Sequence, residues 1–317
     1  LSSSKRMKQF FELVERAAPT DASILIRGET GTGKELVARA IHERSDRARG
    51  EFVAVNCAAI PGELLESILF GYEKGAFTGA NKRTDGKFTS ADKGTLFLDE
   101  IAEMSYELQS KLLRVLQDGL VERVGSLEPE QVDVRVVTAT HQDVSVLMEE
   151  GKFRRDLYYR LHVVPIRVPA LRDRPEDIPV LMRHFVRELC PNTPLTIDHE
   201  IDPIFMRYGW PGNVRELENE IQRMIAITDN NTFITEECLS PHLAALKPRV
   251  KPRQEDASLD GLTLKEKVEQ MEARIIEETL TRLRWNQSRA AAELGLSRVG
   301  LSNKIKRYNL GAGSAVA

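Results

Sequence analysis

Few residues of the kinds that mark membrane, secreted or metal-binding proteins occur in this sequence. Its three cysteines, Cys57, Cys190 and Cys238, lie far apart and match neither a zinc nor a redox pattern, and its six histidines are scattered. No apolar run approaches the roughly 18 residues that a membrane span requires. Residues 1–5, LSSSK, lack the apolar core of a signal peptide. We therefore expect a cytoplasmic protein with reduced thiols in its core and no membrane partner.

Charge is nearly balanced over the whole chain but not along it. The formal net charge is −3, from 45 Lys and Arg against 48 Asp and Glu. Between residues 284 and 310 the only acid is Glu293, and the basic residues are Arg284, Arg289, Arg298, Lys304, Lys306 and Arg307. An acidic chain with a basic C-terminal end predicts a separate nucleic-acid-binding module.

Short apolar runs alternate with helical patterns through the first half of the chain. The candidate strands are 23–27, 52–56, 95–99, 132–139 and 163–168, and helix-like stretches such as 35–44 and 105–117 separate them. Each run is rich in Val, Ile, Leu or Phe. The alternation predicts an α/β domain with a mostly parallel, buried sheet.

From about Pro175 the strand signal disappears. Helical periodicity at 178–189, 201–208 and 214–227 predicts a small all-helical domain. Residues 247–256 contain two prolines and many charges, which indicates a flexible linker.

One apolar face marks the helix predicted after this linker, which continues to about Leu283. The face consists of Leu264, Val268, Met271 and Ile275. It pairs with another helix or packs within its own domain, and the spacing alone leaves both readings open.

Residues 286–308 predict two short helices around a turn at Gly295. Ala290, Ala291 and Leu294 are expected to pack against Leu301 and Ile305, and Ser297 fits the N-cap of the second helix. The side chains that this helix would offer to bases and phosphates are Arg298, Ser302, Asn303, Lys304, Lys306 and Arg307. A helix-turn-helix accounts for the pattern, and a basic helical hairpin that does not bind DNA is the alternative. Gly300 is unexpected, since glycine inside a helix costs roughly 1 kcal/mol relative to alanine.

A glycine-rich loop follows the first candidate strand and opens a helix. Its residues are Gly28, Glu29, Thr30, Gly31, Thr32, Gly33, Lys34 and Glu35. Backbone N–H groups of such a loop bind phosphate oxygens, helped by the partial positive charge of the helix N-terminus, and Lys34 would reach the β- and γ-phosphates. Glu35 stands where the general motif has the Ser or Thr that ligates Mg²⁺.

A second motif, about 65 residues further along, reads as a buried strand that ends in two carboxylates. Asp99 is placed to hold Mg²⁺, and Glu100 is placed to polarise the attacking water. Together the two motifs predict a P-loop NTPase.

Between these motifs lies a loop with glycine at positions 71, 75 and 79 and a lone phenylalanine, Phe77. Physical reasoning alone favours an ordinary surface turn with Phe77 buried. The loop, however, contains the run Gly75, Ala76, Phe77, Thr78, Gly79 and Ala80. With this GAFTGA run the chain resembles the sigma-54-dependent activators, also called bacterial enhancer-binding proteins of the NtrC type, from about Met7 to Leu310.

The resemblance implies an AAA+ ATPase whose domains are an α/β subdomain over 1–170, a helical lid over 171–245, a linker over 246–261 and a dimerising Fis-type helix-turn-helix over 262–317. It implies ATP and Mg²⁺ as cofactors, with sigma-54 RNA polymerase, enhancer DNA and other copies of the chain, in a hexamer or heptamer, as partners. A receiver or ligand-sensing domain usually precedes this core. Phe77 and Thr78 are implied as the contact with sigma-54.

The same resemblance assigns further residues to the nucleotide site. It makes Glu35 an expected member of the loop and implies that Asn56 pairs with Glu100. Thr140 falls at the sensor I position, followed by His141 where many relatives have Asn. Arg215 matches the sensor II arginine, and a salt bridge to Glu218 or Glu216 on the helix surface is the weaker alternative.

Arg154 and Arg160 match two arginine fingers that reach the γ-phosphate bound by a neighbouring subunit. The residues alone favour a solvated basic helix face that pairs with Asp156. If they are fingers, catalysis requires a closed ring built from head-to-tail contacts.

The function that the resemblance implies is ATP-driven remodelling of sigma-54 RNA polymerase. Two alternatives are a DNA-bound regulator or repressor without remodelling activity and an AAA+ replication initiator or loader. A passive repressor has no need of the GAFTGA run, of Asp99 and Glu100, or of the two arginines. A replication protein has no reason to carry GAFTGA.

Overall fold

The structure is a computed structural model that describes residues 2–191, 195–228, 233–246, 263–283, 285–308 and 310. The linker predicted at 247–256 and the basic residue Arg284 lie outside the described residues. The chain divides into two units, Leu1–Lys247 and Pro248–Ala317. Among the described residues, the first unit has three apolar cores and the second has one, and each unit is described by itself.

The first unit is built on a five-stranded parallel sheet. The strands of the whole unit, numbered along the chain, are β1 (Ile24–Arg27), β2 (Phe52–Asn56), β3 (Gly71–Tyr72), β4 (Thr84–Asp85), β5 (Thr95–Asp99), β6 (Leu120–Val121), β7 (Glu130–Gln131), β8 (Arg135–Thr140), β9 (Val164–Arg167), β10 (Thr196–Ile197) and β11 (Phe233–Ile234). The main sheet has the order β2-β5-β8-β1-β9, and all of its neighbours are parallel. These five strands confirm the predicted sheet, with ends that differ by a few residues.

Helices cover both faces of the sheet. The helices of this unit are α1 (Lys5–Ala17), α2 (Lys34–Glu43), α3 (Gly62–Phe70), α4 (Lys87–Ser90), α5 (Tyr106–Asp118), α6 (Val144–Glu149), α7 (Arg155–Leu161), α8 (Ile178–Leu189), α9 (Asp202–Arg207), α10 (Asn213–Ile227) and α11 (Pro241–Ala244). Single 3-10 turns occur at Cys57–Ala59, Ile101–Glu103, Leu171–Asp173, Pro175–Asp177, His199–Ile201 and Glu236–Cys238.

Alternate residues of the central strands enter two different apolar cores. Leu96 and Leu98 pack into one core, while Phe97 between them packs into the other. Successive side chains of a strand point to opposite faces, so a sheet that is covered on both sides reads as a continuous apolar run. This is why β5 and β8 were recognisable from their sequence.

Residues 171–246 form a helical lid around a third core. Trp210 at its centre is fully buried, and its indole N–H donates to the Phe205 carbonyl at 2.8 Å. The predicted helical domain is confirmed, with one correction. The two-residue strands β10 and β11 pair in parallel within it, and they are too short to leave an alternating pattern in the sequence.

The second unit contains helices α12 (Leu264–Arg282), α13 (Gln287–Glu293) and α14 (Arg298–Arg307). Its core includes Ile276, Leu280 and Leu301, together with the two predicted alanines. Ser297 caps α14 by accepting the N–H of Gly300 at 3.0 Å, so the predicted cap is confirmed. Gly300 is therefore in the first turn of α14 and not in its interior, and a Cβ there would lie 3.0 Å from the Ser297 hydroxyl.

Three residues of the apolar face predicted for α12 are exposed within their own unit. The exposed fractions of Val268, Met271 and Ile275 are 57%, 64% and 48%. The reading in which this face packs only within its own domain is therefore wrong for these three residues.

Within the described ranges, no helix has the length and apolar character that crossing a membrane demands.

We predict that the three cysteines differ in reactivity because of their burial. Cys57 and Cys238 are buried and Cys190 is half-buried, and none forms a disulfide. Burial, with the nearby charges of Asp99 and Glu100, raises the pKa of Cys57 to about 12, and only the thiolate attacks thiol reagents. At pH 8 the native protein should show one fast-reacting thiol, and Cys190→Ser should abolish it. A fast phase that survives in this variant, without denaturant, would contradict the assignment.

Candidate functional sites

The glycine-rich loop joins the end of β1 to the start of α2. Gly31 and Gly33 have φ values of +77° and +91°, a conformation that residues with a Cβ rarely adopt. Lys34, the first residue of α2, is only 6% exposed, and its Nζ lies 3.1 Å from both the Gly28 carbonyl oxygen and Glu100 Oε1. The lysine ammonium is thus held at the mouth of the loop, beside the carboxylates that end β5.

The chain turns sharply after β5 and aims both carboxylates at this region. Glu100 has φ +52° and ψ +50°, and its N–H donates to Asp99 Oδ1 at 3.0 Å. Its Oε2 accepts from the backbone N–H of His141 at 3.2 Å and lies 2.7 Å from the Nδ1 of the same residue. Glu100 therefore bridges the ends of two strands and the P-loop lysine.

The two carboxylates have pKa shifts of opposite direction. Burial and the charge of Glu100 raise the pKa of Asp99. Burial also disfavours the charged form of Glu100, but the hydrogen bonds from His141 and the charge of Lys34 outweigh it and lower the pKa of Glu100. Glu100 is therefore the carboxylate that stays ionised more readily, whereas a cation beside Asp99 would counteract the rise in its pKa.

The expected pair between Asn56 and Glu100 is not formed in this structure. The register of β2 and β5 places Asn56 opposite Asp99, and its Oδ1 accepts from Ala58 N–H at 2.9 Å and Ala59 N–H at 3.2 Å. His141, the departure from the family pattern, takes the place beside Glu100. Thr140 is fully buried, and its carbonyl accepts from Gly28 N–H at 3.3 Å, so this residue contacts the loop through its backbone.

The lid contacts the other side of the loop. The carbonyl oxygen of Gly31 accepts from the N–H groups of Val214, at 3.0 Å, and Arg215, at 3.3 Å. Arg215 is exposed and forms no ion pair with any described residue, whereas Glu216 accepts from Tyr208 and Gly212. The salt bridge considered for Arg215 is therefore absent among the described residues.

The side chains of two residues predicted to bind nucleotide form ion pairs within the protein. Glu29 pairs with Arg172 and Glu35 pairs with Arg39.

The two candidate finger arginines are held by residues near them. Arg154 forms two bonds to Asp156, at 3.0 and 2.7 Å, and one to Ser110 Oγ at 2.9 Å. Arg160 donates twice to the Leu116 carbonyl, at 3.1 and 2.8 Å. Neither arginine contacts the glycine-rich loop of its own chain. The pair with Asp156 is the one that the residues alone predicted.

The GAFTGA run forms a closed turn between β3 and β4. Gly75 and Gly79 have φ values of +87° and +105°, and Gly75 N–H donates to the Ala80 carbonyl at 2.9 Å. Phe77 is 42% exposed, and its ring centroid lies 4.9 Å from that of Tyr72. The reading with a buried Phe77 is wrong, because the glycine-bounded turn presents the ring to solvent.

Sequence reasoning missed a second loop beside the GAFTGA turn. Residues 122–129 connect β6 to β7 and bond to the base of the turn through Val124, whose N–H donates to Gly71 at 2.9 Å and whose carbonyl accepts from Glu73 at 3.0 Å. Leu127 at its tip is 97% exposed. A lone leucine between Ser126 and Glu128 in a polar segment was the available signal.

On α14 the predicted DNA-binding residues fall into two groups. Lys304 pairs with Glu272 and Arg307 with Glu269, both on α12. Arg298, Asn303 and Lys306 are exposed, and Ser302 is half-buried. The paired residues help to hold the helices together, which leaves the second group as the side chains free to meet a ligand.

Comparison with known proteins follows the same division of the chain. Residues 1–167 match the sigma-54 interaction domain, residues 172–256 the AAA+ ATPase lid domain, and residues 267–308 the bacterial regulatory proteins of the Fis family. The structure of NtrX from Brucella abortus in complex with ADP aligns with a TM-score of 0.73 at 38% identity, over 98% of this chain and 70% of that one.

The similar sequences are longer regulators. The hydrogenase transcriptional regulatory protein HoxA of Bradyrhizobium diazoefficiens is 49% identical over 98% of this chain and 64% of its own length. NtrC of Azospirillum brasilense is 44% identical over 97% of this chain and 69% of its own length. The regulatory protein AtoC of Escherichia coli is 44% identical over 98% and 68%. With a P-loop core, a helical lid and a Fis-type module all matched, the chain belongs to the sigma-54-dependent transcriptional activators.

Proposed function

We propose that this chain assembles into a ring, hydrolyses ATP at the interfaces between subunits, and uses the GAFTGA loop to remodel sigma-54 RNA polymerase while its C-terminal module holds enhancer DNA. The observation that carries the proposal is the joint presence of a buried carboxylate beside the P-loop lysine and an exposed Phe77 in a glycine-bounded turn. The solved relative NtrX binds ATP and ADP, which supports ATP as the nucleotide. A protein with these partners works in the cytoplasm.

The glycine-rich loop supplies the phosphate site. Its N–H groups and the N-terminus of α2 bind the phosphates. On nucleotide binding, the Lys34 ammonium leaves Glu100 and contacts the β- and γ-phosphates. Asp99 fits the Mg²⁺ site, since Mg²⁺ in nucleotide sites takes one or two carboxylates together with phosphate oxygens and water. The cation would neutralise charge that develops on the phosphates. Glu35 supplies no ligand in this arrangement, because it is exposed and paired with Arg39 at 3.2 Å.

Glu100 serves as the base that orients the attacking water. Its lowered pKa keeps it ionised near neutral pH, and its bonds to Lys34 and His141 fix the direction of the carboxylate. When Lys34 turns to the phosphates, one carboxylate oxygen becomes available to accept a proton from water.

The client and the DNA meet other parts of the chain. Phe77 and Thr78 would touch sigma-54, and Arg154 and Arg160 would reach the nucleotide of a neighbouring subunit, which explains why they avoid their own loop. Arg298, Asn303 and Lys306 would contact DNA, and the exposed face of α12 would pair two copies across two half-sites.

The direct test is a complex between this chain and sigma-54, trapped with ADP and a metal fluoride that mimics the transferring phosphate. A complex on a native gel with this mimic, and none with ADP alone, is the expected result. No complex in the presence of intact ATPase activity would assign the ring to another client.

We predict that Glu100→Gln separates binding from hydrolysis. The amide retains the size of the side chain but cannot accept the proton, so the ATPase rate should fall by roughly 10²–10⁴-fold, the usual contribution of a general base. The affinity for a fluorescent ATP analogue should change little. Glu103→Gln, at an exposed carboxylate three residues away, is the matched control and should hydrolyse normally. Normal turnover by the Glu100 variant would remove this residue from the mechanism.

We predict that Phe77→Ala uncouples hydrolysis from the client. The ring is exposed and supports no core, so ATPase activity should remain while the trapped sigma-54 complex disappears. Phe11→Ala in α1 is the matched control, since Phe11 is 41% exposed and Phe77 is 42% exposed. An unchanged sigma-54 complex with the Phe77 variant would refute the loop assignment.

We predict complementation between two inactive variants if the fingers act in trans. Arg154→Ala lacks the finger and Lys34→Ala lacks the phosphate-binding lysine, so each alone should be inactive. In a random one-to-one ring, about one quarter of the interfaces would combine an intact lysine with an intact finger. Activity should therefore partly return on mixing, and Arg155→Ala alone should stay active. Mixed rings that form but do not hydrolyse ATP would contradict the prediction.

A further inference from the structure

Asn213, the first residue of α10, joins the lid to the glycine-rich loop through its side chain. The side chain is fully buried. Its Oδ1 accepts from the N–H of Leu171 at 2.8 Å, where the lid begins. Its Nδ2 donates to the Thr30 carbonyl at 3.1 Å and to Glu29 Oε2 at 3.2 Å, both in the loop, and also lies 3.4 Å from the Pro211 carbonyl. One carboxamide thus connects the start of the lid, the loop and α10.

The backbone around Asn213 is held against the loop at close range. Asn213 has φ +52°, a conformation that most side chains disfavour and that asparagine tolerates. A Cβ on Gly31 would lie 2.2 Å from the Gly212 carbonyl oxygen, so the loop and the turn before α10 are in direct backbone contact. Surrounding contacts must maintain such a conformation, since it does not form by preference.

A second contact ties the same two parts of the chain together. Arg172 Nη1 donates to Glu29 Oε2 at 2.7 Å, and Nη2 donates to Oε1 of the same carboxylate. The hydrogen bond from Arg172, with a smaller contribution from Asn213, lowers the pKa of Glu29 to about 2. Glu29 therefore stays ionised at neutral pH. Its carboxylate accepts hydrogen bonds from two residues of the lid, Arg172 and Asn213.

Arg215 lies next to these contacts in the first turn of α10. It lies two residues after Asn213 in the first turn of α10, and its own N–H donates to Gly31 at 3.3 Å. Its side chain is exposed and forms no ion pair with a described residue. The contacts at the start of α10 therefore set where the backbone of Arg215, and with it the base of its side chain, lies on the loop.

We propose that Asn213 is a positioning residue that, with the Glu29–Arg172 pair, fixes the lid on the glycine-rich loop and so places Arg215 against the nucleotide. The inference rests on the proposed ATPase function and deepens it. Loss of this clasp, defined as Glu29, Arg172 and Asn213, would let α10 shift relative to the phosphates. The result would be weaker nucleotide binding from a fold that is otherwise intact.

The sharpest variant is Asn213→Asp. It keeps the size, the tolerance of positive φ and the acceptor for Leu171 N–H, but it replaces the donor by an oxygen facing the Glu29 carboxylate. We expect the KM for ATP and the Kd of a fluorescent ATP analogue to rise about tenfold, as for loss of a hydrogen bond to a charged group. Arg172→Ala should raise both about twofold, since its ion pair is half exposed.

Arg183→Ala is the matched control. Arg183 also forms an ion pair in the lid, with Asp202 at 3.0 Å, and its exposed fraction of 44% is close to the 48% of Arg172. It has no contact with the loop, so its KM and Kd should equal those of the unaltered chain. If Arg183→Ala raised KM and Kd as much as Arg172→Ala does, any ion pair in the lid would affect nucleotide binding. That result would refute a specific role for the clasp.

Combination with Arg215→Ala separates positioning from general stability. If Asn213 acts through Arg215, then Asn213→Asp should add nothing to the KM of Arg215→Ala, because residues of one unit are non-additive. Effects that simply add, or an unchanged KM in Asn213→Asp, would overturn the proposal. Should Asn213→Asp fail to fold, the same cycle with Arg172→Ala gives the answer. An unaltered chain that binds ATP without hydrolysing it would refute the proposed function alone, and the Kd values would still test the clasp.

Discussion

The buried ion pair between Lys34 and Glu100 is the interaction around which the nucleotide site is arranged. The two side chains are 6% and 12% exposed, so the loss of either partner would leave a charge with little access to solvent. The pair forms because the sheet order brings the carboxyl ends of β5 and β1 to one edge, with β8 between them. His141, just past β8, is thereby carried to the same carboxylate. A site of this kind therefore depends on strand order as much as on residue type.

The glycine-rich loop is contacted from the sheet on one side and from the lid on the other. Thr140 accepts from Gly28, while Gly31 accepts from the first turn of α10. A movement of the loop on binding phosphates would therefore alter its hydrogen bonds to both the sheet and the lid. The absence of a side chain at Gly31 makes the close contact with the lid possible, because a Cβ there would collide with the Gly212 carbonyl oxygen.

The surface around the GAFTGA turn has a different physical character from the nucleotide site. Its GAFTGA turn is bounded by glycines at positive φ and presents one exposed aromatic ring, and the 122–129 loop beside it ends in the exposed Leu127. Segments with few buried contacts occupy the low-stability end of a fold, where small changes can move them. Rigid strands thus hold the reacting groups, while loosely packed turns face outward.

Local patterns were sufficient to predict the five strands, the lid helices, the Ser297 cap and the P-loop, because each depends on residues that are neighbours in the chain. The family resemblance added roles for single residues that spacing could not supply. Tertiary structure decided which partners those residues meet. It placed Glu100 against His141 and not against Asn56, and it paired Glu29 with a residue of the lid. It also paired Lys304 and Arg307 with α12. Phe77 and three apolar residues of α12 are left exposed. These outcomes depend on strand register and on hydrogen bonds between residues far apart in sequence, where a shift of one position changes every partner.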